Sequence, residues 1–189
     1  SSALIRGTLE RVGFVAISGH ERFRGAIVFP VIVDGDIVGA TGRRISRVIK
    51  SDSTAYPCSP YMEEYFYHQS CINECSTVVL CHSPMEVVSA WQLGISNVLA
   101  PIGDGNLNAA RIATLNQANV TKVILVASGG TVRQEQVKRN AYLLKEAGIH
   151  AVIVCLPGKV DINELLCRRH NAADILNSLL QSNKEKAHG

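Results

Sequence analysis

From Thr77 onward the sequence alternates short runs of β-branched residues with longer amphipathic stretches, four times over, with links of only a few residues. Residues 77–81, 97–100, 122–127 and 150–155 read as strands. The helical stretches between them are 85–93, opened by Pro84 and ended by Gly94, one around 107–118, and a long one around 132–147 that stops at Gly148. A helical remainder begins at Ile162. A chain that repeats β then α with such short links has few choices. Its strands lie parallel in one sheet and its helices cover both faces, an α/β architecture.

Residues ahead of this alternation are organised differently. Leu4, Ile5, Leu9 and Val12 recur at helical spacing, so residues 3–15 are expected to form a short helix. Residues 26–33 read as a strand, Asp34-Gly35 as a hairpin turn, and 36–41 as the return strand. The stretch 51–60, with two prolines and three serines, reads as irregular, and 61–70 as a short aromatic helix. The division is expected near residue 75. A smaller mixed α+β subdomain would span 1–75, the parallel-sheet domain 76–182, and a polar, disordered tail 183–189.

Hydrophobic residues make up 47% of the chain, enough for a packed core. The longest apolar runs, 26–33 and 123–127, are far too short to span a bilayer, so no membrane partner is expected. No basic-then-apolar leader opens the sequence, and the expectation is a cytoplasmic protein. Net charge is +3, unevenly spread. Residues 1–50 hold eight Lys/Arg against four acids, a surplus of four, so the rest of the chain comes to −1. A basic first quarter fits an anionic partner such as nucleic acid, and fits an ordinary solvated face equally well.

Six cysteines lie at positions 58, 71, 75, 81, 155 and 167. Cys81 and Cys155 end apolar runs and read as buried strand residues, and all six are expected as free thiols. Cys71, Cys75, Cys81 and His82, with His68 and Cys58 upstream, lack the two tight pairs across a loop that a structural zinc site uses. No zinc is expected.

In open parallel sheets ligands collect at the carboxyl ends of the strands, here around 81–83, 100–105, 127–130 and 156–161. Acids are few there: Glu86, Asp104 and Asp161. Ser128-Gly129-Gly130 leads into a helix and could offer backbone N–H groups to a phosphate, although a plain tight turn has the same composition.

Eight segments, in order, are similar to motifs of bacterial-type (DnaG-like) DNA primases. Residues 22–31 (RFRGAIVFPV) resemble "RFRxRIMFPI", and 36–43 (DIVGATGR) resemble "GRVIGFGGR". YPCSP at 56–60 resembles "YLNSP", and YHQS at 67–70 resembles "FHKS". CHSPMEV at 81–87 stands where the family has "VEGYMDV", PIGD at 101–104 at "TLGT", and VASGG at 126–130 at "CFDGD". KVDINELL at 159–166 is similar to "KDPDELL". The resemblance runs from about residue 10 to residue 166. It implies a basic N-terminal subdomain followed by a Toprim domain, together the polymerising core of a primase.

That resemblance also implies what is missing. A Toprim site holds divalent metal through a glutamate and a pair of aspartates, and those positions are His82, Ser128 and Gly130 here. An imidazole, a hydroxyl and a hydrogen replace three carboxylates, so no metal cofactor is expected. A rebuilt site of Glu86, Asp104, Asp161 and His82 would be the catalytic set if the chain is active, taking Mg²⁺, Mn²⁺ or, with its nitrogen donor, Zn²⁺. The plainer reading makes them a helix-start acid, a turn Asp, a capping Asp and a strand-end His. For nucleic acid, the resemblance implies binding through Arg22, Arg24, Arg43, Arg44, Arg47 and Lys50, with Tyr56, Tyr61, Tyr65, Phe66 and Tyr67 available for stacking or for packing.

Three functions compete. The first is a catalytically degenerate primase-like module that binds single-stranded DNA or RNA, or a replication partner such as a replicative helicase. The second is an active primase or other Toprim phosphotransferase. The third is a protein-interaction scaffold.

Overall fold

A computed structural model of the chain describes residues 2–45, 57–127 and 131–185. Arg47, Lys50, Tyr56, Ser128, Gly129 and Gly130, and the last four residues of the expected tail, lie outside them.

Five strands form the main sheet: β3 (Phe66–Tyr67), β4 (Thr77–Leu80), β5 (Val98–Pro101), β6 (Lys122–Ala127) and β7 (His150–Cys155). Their spatial order is β3-β5-β4-β6-β7. β4 through β7 run parallel, and β3 pairs antiparallel with β5 through Phe66 opposite Pro101 and Tyr67 opposite Ala100. Side chains alternate between faces as the pleat requires. Val79, Cys81, Val98, Ala100, Ile124 and Val126 enter one core with helices α2 (Pro84–Gln92), α5 (Ile162–Arg168) and α6 (Ala172–Glu185). Val78, Leu80, Leu99, Val123 and Leu125 enter the other with α3 (Ala109–Gln117) and α4 (Thr131–Glu146). The expected α/β sheet with helices on both faces is what the chain builds.

A separate antiparallel hairpin, β1 (Ala26–Val33) and β2 (Asp36–Arg44), precedes the sheet. Its register slips between Val31 and Ile32, where Val38 is the extra residue, a bulge in β2. Residues 57–59 lie along β2: the Gly42 N–H donates to the Pro57 carbonyl at 2.8 Å, and the Ser59 N–H to the Ala40 carbonyl at 2.8 Å. Val31, Met62 and Ile102 form a small third core that seats the hairpin on the strand-end loop of the sheet.

Three expectations are corrected. The helix expected over 3–15 is α1 (Ser2–Arg11), and it ends before Gly13, whose φ of +76° leaves the helical region. Leu4, Ile5 and Leu9 on it are exposed. The aromatic helix expected over 61–70 is absent. Residues 66–67 are a strand, and a 3₁₀ turn follows over Gln69–Asn73. Finally, Cys155 is exposed, because it ends β7, the edge strand of the sheet; Cys81, on a central strand, is buried as expected. All six cysteines are free thiols.

Candidate functional site

A cleft of mixed polarity lies at the carboxyl ends of β4 and β5, under the hairpin. Thr41, Gly42 and Arg43 of β2 line one wall, and His82, Ser83, Arg133 and Asp161 the other. Local sequence sets this geometry. Ser83 caps α2, its Oγ accepting the Glu86 N–H at 3.4 Å, and Pro84 follows at the first helical position. His82 is thereby left at the mouth of β4, and Glu86 is carried inward on the first turn of α2. Glu86 is 1% exposed.

Asp161 caps α5 in a reciprocal box. Its Oδ1 accepts the Glu164 N–H at 2.7 Å, while Glu164 accepts the Asp161 N–H at 3.3 Å. Its other oxygen faces Arg133. Nη1 of Arg133, on the first turn of α4, stands 3.9 Å from Oδ2 of Asp161 and 3.9 Å from Oε1 of Glu86. One guanidinium therefore serves two carboxylates from two different helix starts.

His82 is half-buried. Burial, and then the positive charge of Arg133, push its imidazole pKa below the ordinary 6.5, against a hydrogen bond with Gln136 and the charges of Asp104 and Asp161. The ring is neutral at pH 7. It packs on Gly105, where a Cβ would come within 2.7 Å of Nδ1; φ at Gly105 is +77°, so both space and backbone call for glycine there.

Asp104 is exposed, and its carboxylate serves its own loop. Oδ1 accepts the Asn106 N–H at 3.0 Å and Oδ2 the Asn106 amide at 2.6 Å. Partial burial works the other way, but these hydrogen bonds and the charge of Arg111 hold the carboxyl below the ordinary range. The loop is fixed from both sides. Arg111, 1% exposed, donates to the carbonyls of Tyr65, Asn106 and Ile102 and lies 5.8 Å from the Phe66 ring. Burial brings its pKa down to about 10, so it is still a cation at neutral pH. Buried Asn140 accepts the Leu107 N–H and donates to the Gly105 carbonyl.

The residues present do not fit the divalent metal that the primase resemblance implies. Mg²⁺ requires an anionic set of oxygen donors with room for its water. Asp161 on the cleft wall and the buried Glu86 already flank a guanidinium, and His82 offers a neutral nitrogen. Among the described residues no three His, Cys, Asp or Glu side chains are grouped to hold a metal ion. Positions 128 and 130 contribute a hydroxyl and a hydrogen by composition alone.

The basic residues divide. Arg43 is exposed at the cleft rim and Arg24 is exposed nearby, its carbonyl accepting from Arg44 Nη1 at 2.5 Å. Arg22 is turned to structure, its Nε donating to the Gly13 carbonyl at 3.0 Å. Phe66 is fully buried and Tyr67 packs between Phe29 and Trp91, so those two rings serve the core; Tyr61 is 83% exposed. Arg133, Arg111, Gln136 and Asn140 were not legible as site residues. Two signals existed. Arg111 sits between Leu107 and Leu115 at four-residue steps, on an apolar stripe. Arg133 lies on a helix's first turn, where the dipole disfavours a cation by about 0.3–1 kcal/mol unless anions face it.

Comparison with known proteins agrees with this architecture. A family model described as Toprim-like matches residues 79–166. The DNA primase of Halalkalibacterium halodurans is 26% identical over 157 residues, which is 78% of this chain and 25% of that protein. The chain thus spans about a quarter of that curated relative. The Aquifex aeolicus primase structure containing the zinc-binding and RNA polymerase domains superposes with a TM-score of 0.79 at 24% identity, over 95% of this chain and 46% of that one. A DnaG primase catalytic domain bound to ssDNA superposes at 0.72 and 21% identity, over 94% and 58%. Both superpositions are likenesses of fold. Residues 79–166 are similar to the Toprim-like family, and the chain shares the fold of part of the catalytic core of DnaG-type primases.

Proposed function

We propose that this chain is a primase-like module that binds single-stranded nucleic acid along its basic hairpin face and does not polymerise. The observation that carries the reading is a contrast within one cleft. The arginine wall of β2 is kept, with Arg43 at the rim and Arg24 and Arg44 beside it, while the carboxylates opposite flank an arginine instead of an open metal position. Arg47, Lys50 and Tyr56 follow β2 in the sequence and add charge and a stacking ring. Guanidinium groups bind phosphate in a bidentate fashion, and each phosphate contact makes binding salt-dependent. The structural relative solved with ssDNA supports the ligand class. A replicative helicase or another replication protein is the second class of partner in this reading.

The test is fluorescence anisotropy of a labelled single-stranded oligonucleotide over a salt series. Micromolar binding that weakens steeply with salt is expected, and Arg43→Glu with Arg44→Glu should cost at least about tenfold, the effect of losing two or more phosphate contacts. No binding at low salt, or an affinity unmoved by the charge reversal, refutes it and favours a protein-interaction scaffold. Ribonucleotide incorporation on a template should stay at background with Mg²⁺, Mn²⁺ or Zn²⁺. Primer synthesis above background would instead make the chain an enzyme.

A further inference from the structure

Arg133 is placed against the electrostatics of its own helix. The first turn of α4 holds no acidic residue, and the positive end of the dipole repels a guanidinium there. What holds the cation is the pair across the cleft: Oε1 of Glu86 and Oδ2 of Asp161, each 3.9 Å from the same Nη1. Glu86 is 1% exposed, so water cannot screen its charge as it would at the surface. Arg133 itself remains a third exposed, with its side chain on the cleft wall. Two carboxylates converging on one positive charge at the carboxyl end of a parallel sheet is an arrangement a divalent ion could also occupy. Here an amino acid occupies it.

We propose that Arg133 is the resident cation of this cleft. Its guanidinium takes the charge-balancing place between Glu86 and Asp161, closes the cleft to divalent ions, and masks a latent cation site made of those two carboxylates. A guanidinium cannot shed its proton to make way for an ion. A dication entering the same few ångströms would meet that charge in a partly buried setting, where repulsion is weakly screened. With the charge removed, two carboxylates are left converging on one space, a pair of anionic oxygen donors that a hydrated divalent ion such as Mn²⁺ can take. The inference rests on the reading of the cleft as one without a working metal site, and explains how that state is maintained.

Mn²⁺ alone is the probe, its free fraction followed by electron paramagnetic resonance on the full chain. Wild type and Arg133→Lys, which keeps a positive charge, should take up Mn²⁺ weakly and equally. Arg133→Gln should bind it at least tenfold more tightly, and Glu86→Gln added to Arg133→Gln should abolish that gain. Wild type binding as tightly as Arg133→Gln overturns the proposal, and so does Arg133→Gln with no gain. Should Arg133→Gln fail to fold, as judged by circular dichroism, Asp161→Asn in the wild-type background decides: unchanged Mn²⁺ uptake supports a masked pair, and a fall overturns it. Mn²⁺ uptake and oligonucleotide anisotropy are separate readouts, so strand binding without the Mn²⁺ gain sinks the role of Arg133 and leaves the proposed function standing.

Discussion

Three side chains, His82, Glu86 and Arg133, set the electrical character of the cleft, and each acquires its state from its surroundings. Burial and the neighbouring guanidinium depress the His82 pKa, so the folded chain binds that proton less readily than the unfolded chain, whose imidazole titrates near 6.5. A base with a depressed folded pKa supports stability fully above the unfolded value and withdraws that support as pH falls from about 6.5 toward the lower folded value. Denaturant unfolding between pH 7.5 and 5 should therefore show falling stability, and His82→Gln should flatten the profile. Matching profiles for the two proteins would show that the imidazole is not the group responsible. Asp104 is depressed too, and as an acid its contribution is lost only at lower pH, below about 4, so the two windows separate.

Among the elements, β6 and β7 were legible to the residue, because each is a short apolar run rich in β-branched residues that follows a helix stop. β3 was not. Two residues carry no periodicity, and Phe66–Tyr67 is a strand only because Pro101 and Ala100 of β5 lie opposite. Cys155 misled for a related reason, since an apolar run does not say whether its strand is central or at an edge. The 101–105 loop was read as a link with one acid in it. Arg111 and Asn140 make it a fixed wall, by contacts that exist only after α3 and α4 pack. Arg111→Met keeps the bulk and removes every donor, leaving three carbonyls without that partner. At about 1 kcal/mol or more for each group stranded, a loss of at least about 3 kcal/mol is expected in denaturant unfolding, with faster amide exchange over 101–106. Arg111→Lys should recover little, since one ammonium cannot reproduce the planar fork. Full stability in either variant would show that the wall is held by other means.

For the molecule as a whole, the strand–helix alternation carried the α/β sheet, and the ordered motifs carried the primase-like architecture. The opposition of the Arg133 guanidinium to Glu86 and Asp161 was not readable, because residues 86, 133 and 161 meet only through the sheet order. The placement of β3 has a practical side. This two-residue strand comes from before residue 75 and closes the outer margin of the sheet beside β5, and Cys71 and Ile72, just after it, bury in the same core as Phe66. A truncated chain started at residue 76 would leave the outward-facing main-chain groups of β5, at Val98 and Ala100, without their cover, a ready template for pairing with a neighbour. Light scattering after gel filtration should find that fragment self-associated while the intact chain, at equal concentration, is not. A monodisperse fragment would show that the sheet tolerates an open margin at β5.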